Sequence, residues 1–173
     1  LALLDTLTRD YVESGWDSRA MLRRFVLSST YRQSSAASRE SLSRDPDGGR
    51  FSRAARTQLS AEVIRDAALF AAGRLHEQRG GPSSYPYQPP GLWQEKRGTV
   101  YPVGRGADLT RRSLYSFWRR TSPPAMLTIF DAPSREVCTV QRGSTSTPLQ
   151  TLALWNDPQF VAVASALGAA AVA

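Results

Sequence analysis

Tyr85-Pro86-Tyr87-Gln88-Pro89-Pro90-Gly91-Leu92-Trp93 is the stretch that most limits how this chain can fold. Each proline fixes φ and removes an amide donor, and each pushes the residue before it toward extended geometry. No helix can cross this run, so it is read as a rigid extended arm. It separates a helical subregion, residues 1–80, from a mixed segment with C-terminal helices, residues 108–173; the Pro/Gly/aromatic arm itself spans 81–107. Its aromatic rings have two possible uses. Tyr87 and Trp93 could offer a stacking platform for a sugar or a peptide, or the rings could pin a long connection onto the helices. The second reading is preferred.

Before the arm, Leu3, Leu4, Leu7 and Tyr11 recur at helical spacing, and Gly15 stops that helix. Asp17 is a good N-cap for a second helix with the stripe Leu22, Phe25, Val26 and Ser29, which decays through Tyr31 and Ser34–Ser38. Arg44-Asp45-Pro46-Asp47-Gly48-Gly49 is turn chemistry. It begins like a calcium loop, but Gly49 replaces an oxygen ligand and Arg56 stands where a bidentate glutamate is needed. Ser60 is expected to cap a further helix with the buried line Ile64, Ala67, Ala68, Ala71 and Leu75, ending at Gly80-Gly81. Glu62, Arg65 and Asp66 are read as solvated or interhelical ion pairs.

After the arm, Gly98–Gly106 reads as a loop, and Arg111–Arg120 as a strand buried on both faces, although a short helix can be drawn through the same residues. Ser122-Pro123-Pro124 opens a helix carrying Met126, Leu127, Ile129 and Phe130. Thr147-Pro148-Leu149-Gln150 is a capping box with proline at the first helical position, and Asn156-Asp157-Pro158 closes that helix and starts the last one. The fold class expected is mainly α: an irregular helical domain with long extended loops and at most one or two short strands.

Capping does not explain Asp131, Arg135, Glu136, Cys138 and Arg142, which crowd one short segment. They could form an ion-pair network that locks an irregular loop, with Cys138 a small buried hydrophobe. Alternatively Asp131 or Glu136 acts as general base while Arg135 holds a substrate. The network is the preferred reading.

Cys138 and His76 are each the only residue of their type, which excludes an internal disulfide, a cysteine or multi-histidine metal centre and a haem attachment motif within this chain. The formal net charge of +7 suggests a polyanion partner, with Arg111, Arg112, Arg119 and Arg120 as contacts. However, Lys96 is the only lysine and the arginines are dispersed, so nucleic-acid binding is disfavoured. No run approaches the roughly 20 apolar residues of a membrane span. The chain is read as one domain fragment of a larger protein, truncated at both ends.

Several blocks in order resemble the domain-of-unknown-function family 1553, seen chiefly in planctomycetes and their relatives. They are Tyr11–Asp17, Ser28–Ser34, Ala61–Asp66, Tyr85–Trp93, Arg112–Tyr115, Phe130–Thr139, Thr147–Gln150 and Asn156–Pro158. The sequence departs from the family pattern at Gln141, Ser144 and Ser146, which stand in place of Arg, Arg and Asn, and in a short Glu95–Val103 connection. The resemblance implies an exported, extracytoplasmic parent protein carrying a sister domain and a c-type cytochrome domain, so haem c would sit outside this chain. It implies no activity. The expected role is structural or interactive, against sister domains of the same protein. The alternatives are a carbohydrate or extracellular-polymer site combining Tyr87 and Trp93 with Asp131, Arg135 and Glu136, and polyanion binding.

Overall fold

The computed structural model describes residues 2–94 and 98–172, so part of the Glu95–Val103 connection, Lys96 included, lies outside the described residues. The chain divides into two compact units, Leu1–Thr57 and Gln58–Ala173.

The first unit holds α1 (Ala2–Glu13), α2 (Ser18–Leu27) and α3 (Arg39–Arg44). Gly15 ends α1 as expected. It takes φ +71°, its amide donates to the Val12 carbonyl and the Trp16 amide reaches back to Tyr11 O, each at 3.0 Å. This is a Schellman ending, completed by the Tyr11 and Trp16 rings meeting edge to face at 5.2 Å. The Asp17 carboxylate caps α2 by accepting from the amides of Arg19 and Ala20. That helix stops at Leu27, because Ser28 turns to extended backbone, rather than fading through Tyr31. In the 45–53 loop, the Asp45 carboxylate accepts from the Arg50 amide at 3.1 Å and from Ser52 Oγ at 2.9 Å, while Arg53 donates to the carbonyls of Asp45 and Pro46. The carboxylate is thus engaged in holding its own turn. Asp45 is also the only buried residue among those described in this unit.

The second unit contains α4 (Ala61–Ala71), two single 3₁₀ turns (Gly106–Leu109 and Ser113–Tyr115), α5 (Ala125–Ile129), α6 (Pro148–Asn156) and α7 (Pro158–Val172). α4 packs against α5, α7 and the second 3₁₀ turn, and α6 lies between α5 and α7. Ala61, Leu127 and Phe130 form the buried centre, flanked by Ile64, Trp118, Met126, Ile129 and Ala132. The chain is mainly α with long loops.

Three expectations for this unit need correction. α4 ends at Gly73, not at Gly80-Gly81: Gly73 takes φ +64°, its amide donates to Phe70 O at 2.9 Å and the Arg74 amide to Leu69 O at 2.8 Å. Leu75 therefore falls outside the helix. The buried line of α4 is Ala61, Arg65 and Leu69, while Ala67 and Ala71 are exposed. The third correction concerns Arg111–Arg120, which forms no strand. Asp66 captures the amide and hydroxyl of Ser113 at 2.8 and 2.7 Å, winding the chain into a 3₁₀ turn, and only isolated bridges remain, His76 with Arg111 and Ser84 with Ser116.

The arm is pinned to this unit. Ser84 exchanges backbone hydrogen bonds with Tyr115 and Phe117, each at 2.8 Å. Tyr85 stacks on Phe117 at 5.0 Å, Trp93 meets Tyr101 edge-on at 5.0 Å, and the Arg119 guanidinium lies 4.6 Å from the Trp93 ring centre. The Tyr101 hydroxyl donates to Pro86 O at 2.7 Å, and burial pushes its pKa up to about 12. Gly104 is required where the chain passes the arm, since a Cβ there would stand 2.7 Å from Asp108 Cβ and 2.9 Å from Tyr85 O.

Candidate functional site

Asp131 is the second residue after α5, and its position has a backbone cause. Its amide donates to Thr128 O at 3.1 Å and the next amide, Ala132, to Leu127 O at 2.9 Å, so the helix closes in a Schellman motif with Asp131 in the left-handed place that glycine normally takes. Its φ of +63° is accepted because the side chain is held. The carboxylate takes the Thr145 amide at 2.7 Å, the Thr145 hydroxyl at 2.8 and 2.9 Å, and Gln150 Nε2 at 3.4 Å. Gln150, only 5% exposed, also donates to Ile129 O and completes the Thr147 capping box that starts α6. One loop thus ties the end of α5 to the start of α6.

The Thr145 amide and hydroxyl, with Gln150, hold the Asp131 carboxyl below its ordinary value of 3.8 against the opposing effect of desolvation. A carboxylate so stabilised is a weak base. A carboxyl depressed in the folded state stabilises the fold above its unfolded pKa, and that contribution disappears as pH falls through the folded value. Asp131→Asn should therefore unfold more readily than the parent at neutral pH. The gap should narrow as pH falls through 3.8 and below, read from urea midpoints across a pH series. A gap that stays constant with pH would show that the carboxylate charge is not what holds the loop.

The other residues of the dense segment are not gathered around Asp131. Arg135, also at positive φ (+63°), lays its guanidinium 4.2 Å from the centre of the Trp118 ring. Glu136 is exposed and makes no ion pair among the described residues, its amide donating to Ser134 Oγ at 3.3 Å. Cys138 carries an exposed free thiol and is not a buried hydrophobe. Arg142 pairs with Glu62 of α4 at 2.7 Å; desolvation alone would raise the Glu62 carboxyl, and the Arg142 bond turns the shift downward. Ser144, one of the departures from the family pattern, donates to Gln58 Oε1 at 3.1 Å. Asp131, Arg142 and Ser144 line a cavity of about 140 Å³ with Ser60, Ala61 and Phe130. That is below the roughly 300–1,000 Å³ of ligand pockets.

Tyr87 and Trp93 do not share a cleft with Asp131, Arg135 and Glu136. Along 117–119 the contacts alternate: Phe117 and Arg119 meet Trp93, whereas Trp118 meets Arg135 and the Leu127–Phe130 core. The arm and the dense segment therefore engage different side chains of this stretch. Trp93 is 9% exposed, with Arg119 over its ring, and with Tyr87 it lines a separate cavity of about 350 Å³.

The strongest polar constellation was not expected from the sequence. Arg65 is 7% exposed, and its guanidinium donates from Nε to Gln159 Oε1 (3.0 Å), from Nη1 to Arg111 O (2.8 Å) and Ser113 Oγ (3.2 Å), and from Nη2 to Leu109 O (2.6 Å). Asp66 lies 3.6 Å away as its counter-charge. Arg111, 3% exposed, donates to the carbonyls of Gly80 and Pro82 while covering the Tyr115 ring at 4.3 Å. These two arginines staple loops rather than address a ligand. That also uses up Arg111 as a polyanion contact, while Arg112 pairs with Glu77 at 3.2 Å.

Among the described residues no three His, Cys, Asp or Glu side chains are placed to hold a metal ion, and no helix is long and apolar enough to cross a membrane. No curated protein and no solved structure matches the chain. The family model described as PSD1, protein of unknown function (DUF1553), matches residues 1–173, and the chain belongs to that family.

Proposed function

We propose that this chain is a structural and interaction module of an exported, cytochrome-linked protein, whose first unit packs against a sister domain of the same protein. The observation that carries this reading is the unburied first unit. None of the residues of α1, α2 or α3 is buried, yet Leu3, Leu4, Trp16, Leu22, Phe25 and Tyr31 are between 42% and 73% exposed. Apolar surface on this scale marks an interaction face on a helix pair that cannot form its own core. The dense segment supports the same role. Its groups are held by residues outside the segment, face solvent or cover an aromatic ring, with no base poised over a cavity of ligand size.

The test is the chain by itself. It should bind the dye ANS strongly and self-associate on sedimentation, and Leu22→Glu with Phe25→Glu should remove most of both while leaving the circular dichroism of the second unit's helices in place. A monomeric chain that binds no more dye than a well-packed control protein would sink the proposal.

A further inference from the structure

An apolar opening lies away from the dense segment, where the end of α4 meets the start of α7. Leu69 and Val163, 4% and 9% exposed, form its floor. Leu109, Ala162 and the Tyr87 ring form its walls, and its volume is about 270 Å³. This is just under the roughly 300 Å³ at which pockets for drug-sized ligands begin, room for a smaller ligand.

The polar groups around this opening decide what it can take. Gln159 belongs to the lining, but both ends of its amide are engaged: Oε1 accepts from Arg65 Nε at 3.0 Å and Nε2 donates to Tyr87 O at 3.1 Å. The Thr110 hydroxyl donates to Ala107 O at 3.3 Å. The wall therefore offers little to read the hydroxyl groups of a sugar. Arg74 is different. It is the one ionised side chain in the lining, it is exposed, and it forms no ion pair among the described residues. Its place is set by the Schellman ending at Gly73, which turns the chain back beside Leu69. An apolar pocket with a single free guanidinium at its rim is complementary to an apolar body ending in a carboxylate, since a carboxylate matches the guanidinium fork and the body replaces water over Leu69 and Val163.

We infer that the pocket between α4 and α7 binds a small organic acid with an apolar tail, the tail lying over Leu69 and Val163 and the carboxylate meeting Arg74. This site is independent of the docking role assigned to the first unit.

The test is a calorimetric titration of the chain with octanoate and with 1-octanol, both below their aggregation limits. The expected result is one saturable octanoate site. Arg74→Gln should weaken octanoate about tenfold, the loss of one charge-assisted contact, and leave octanol binding unchanged. Ala162→Phe, which places a ring in the opening, should abolish both while circular dichroism shows the helices intact. Absence of a saturable octanoate site overturns the inference, as does equal binding of octanoate and octanol to the parent chain. Binding that survives Ala162→Phe belongs to another apolar surface and overturns it as well.

Discussion

Arg65→Ala is expected to destabilise the second unit by about 3–5 kcal/mol, the cost of breaking a buried, hydrogen-bonded charge arrangement from one side. The guanidinium serves Leu109 O, Arg111 O, Ser113 Oγ and Gln159 Oε1 together. Its removal leaves two buried and two part-buried acceptors without this donor and leaves Asp66 with no cation at 3.6 Å. Burial already pulls the Arg65 pKa down, opposed by Asp66 and Asp157, so the site depends on complete pairing. Arg65→Lys should recover only part of the loss, because an ammonium cannot span four acceptors arranged around a planar fork. Native-state hydrogen exchange at α4 reads the second unit separately from the first. A change below about 1 kcal/mol in the alanine variant would mean that water replaces the guanidinium freely and that the staple is incidental.

Phe130→Ala should also cost about 3–5 kcal/mol, by the lost transfer of the ring and the cavity left beside Ala61 and Leu127. Phe130 is 6% exposed and is the residue just before Asp131, so the loss is felt on both sides: in the α4–α5 contact and in the loop that joins α5 to α6. Exchange should rise at α4 and α5 amides. The Cys138 thiol should react with a thiol reagent at nearly the parent rate, because it is already exposed. A strong acceleration at Cys138 would show that the 134–146 stretch is packed more firmly than its exposure indicates.

Much of the helical frame was legible because its signals are local. Gly15, Asp17, Thr147 with Gln150, and Asp157 each act on backbone groups within a few residues, and each sits where its chemistry predicts. What was not legible depends on partners distant in sequence. On a helix drawn from periodicity, Arg65 cannot be told from a solvated arginine, because its burial comes from carbonyls at Leu109 and Arg111. The apolar pattern of 111–120 suits a strand equally well; Asp66, reaching across from α4, decides for the 3₁₀ turn. The α2 stripe was legible as a stripe, but periodicity says only that a face is apolar. The dense segment was less legible: five chemically capable residues in a short stretch suggested one ion-pair network, whereas the left-handed turns at Asp131 and Arg135 send their side chains to Thr145 and to Trp118.

The Arg65 staple also bears on how the second unit reaches its native state. Its bonds close loops of 44, 46, 48 and 94 residues, so the full set is complete only when both 3₁₀ turns and the start of α7 have been brought to α4. Contacts of such long sequence separation are slow to assemble, because the entropy of loop closure is lost before any bond rewards it. α4 can nucleate early through its own turns, but its charged member must wait, hydrated, until these distant segments reach it. Assembly of this unit is thereby set by its last-arriving segment, and the interval before closure is when its apolar α4 face is most open to wrong partners.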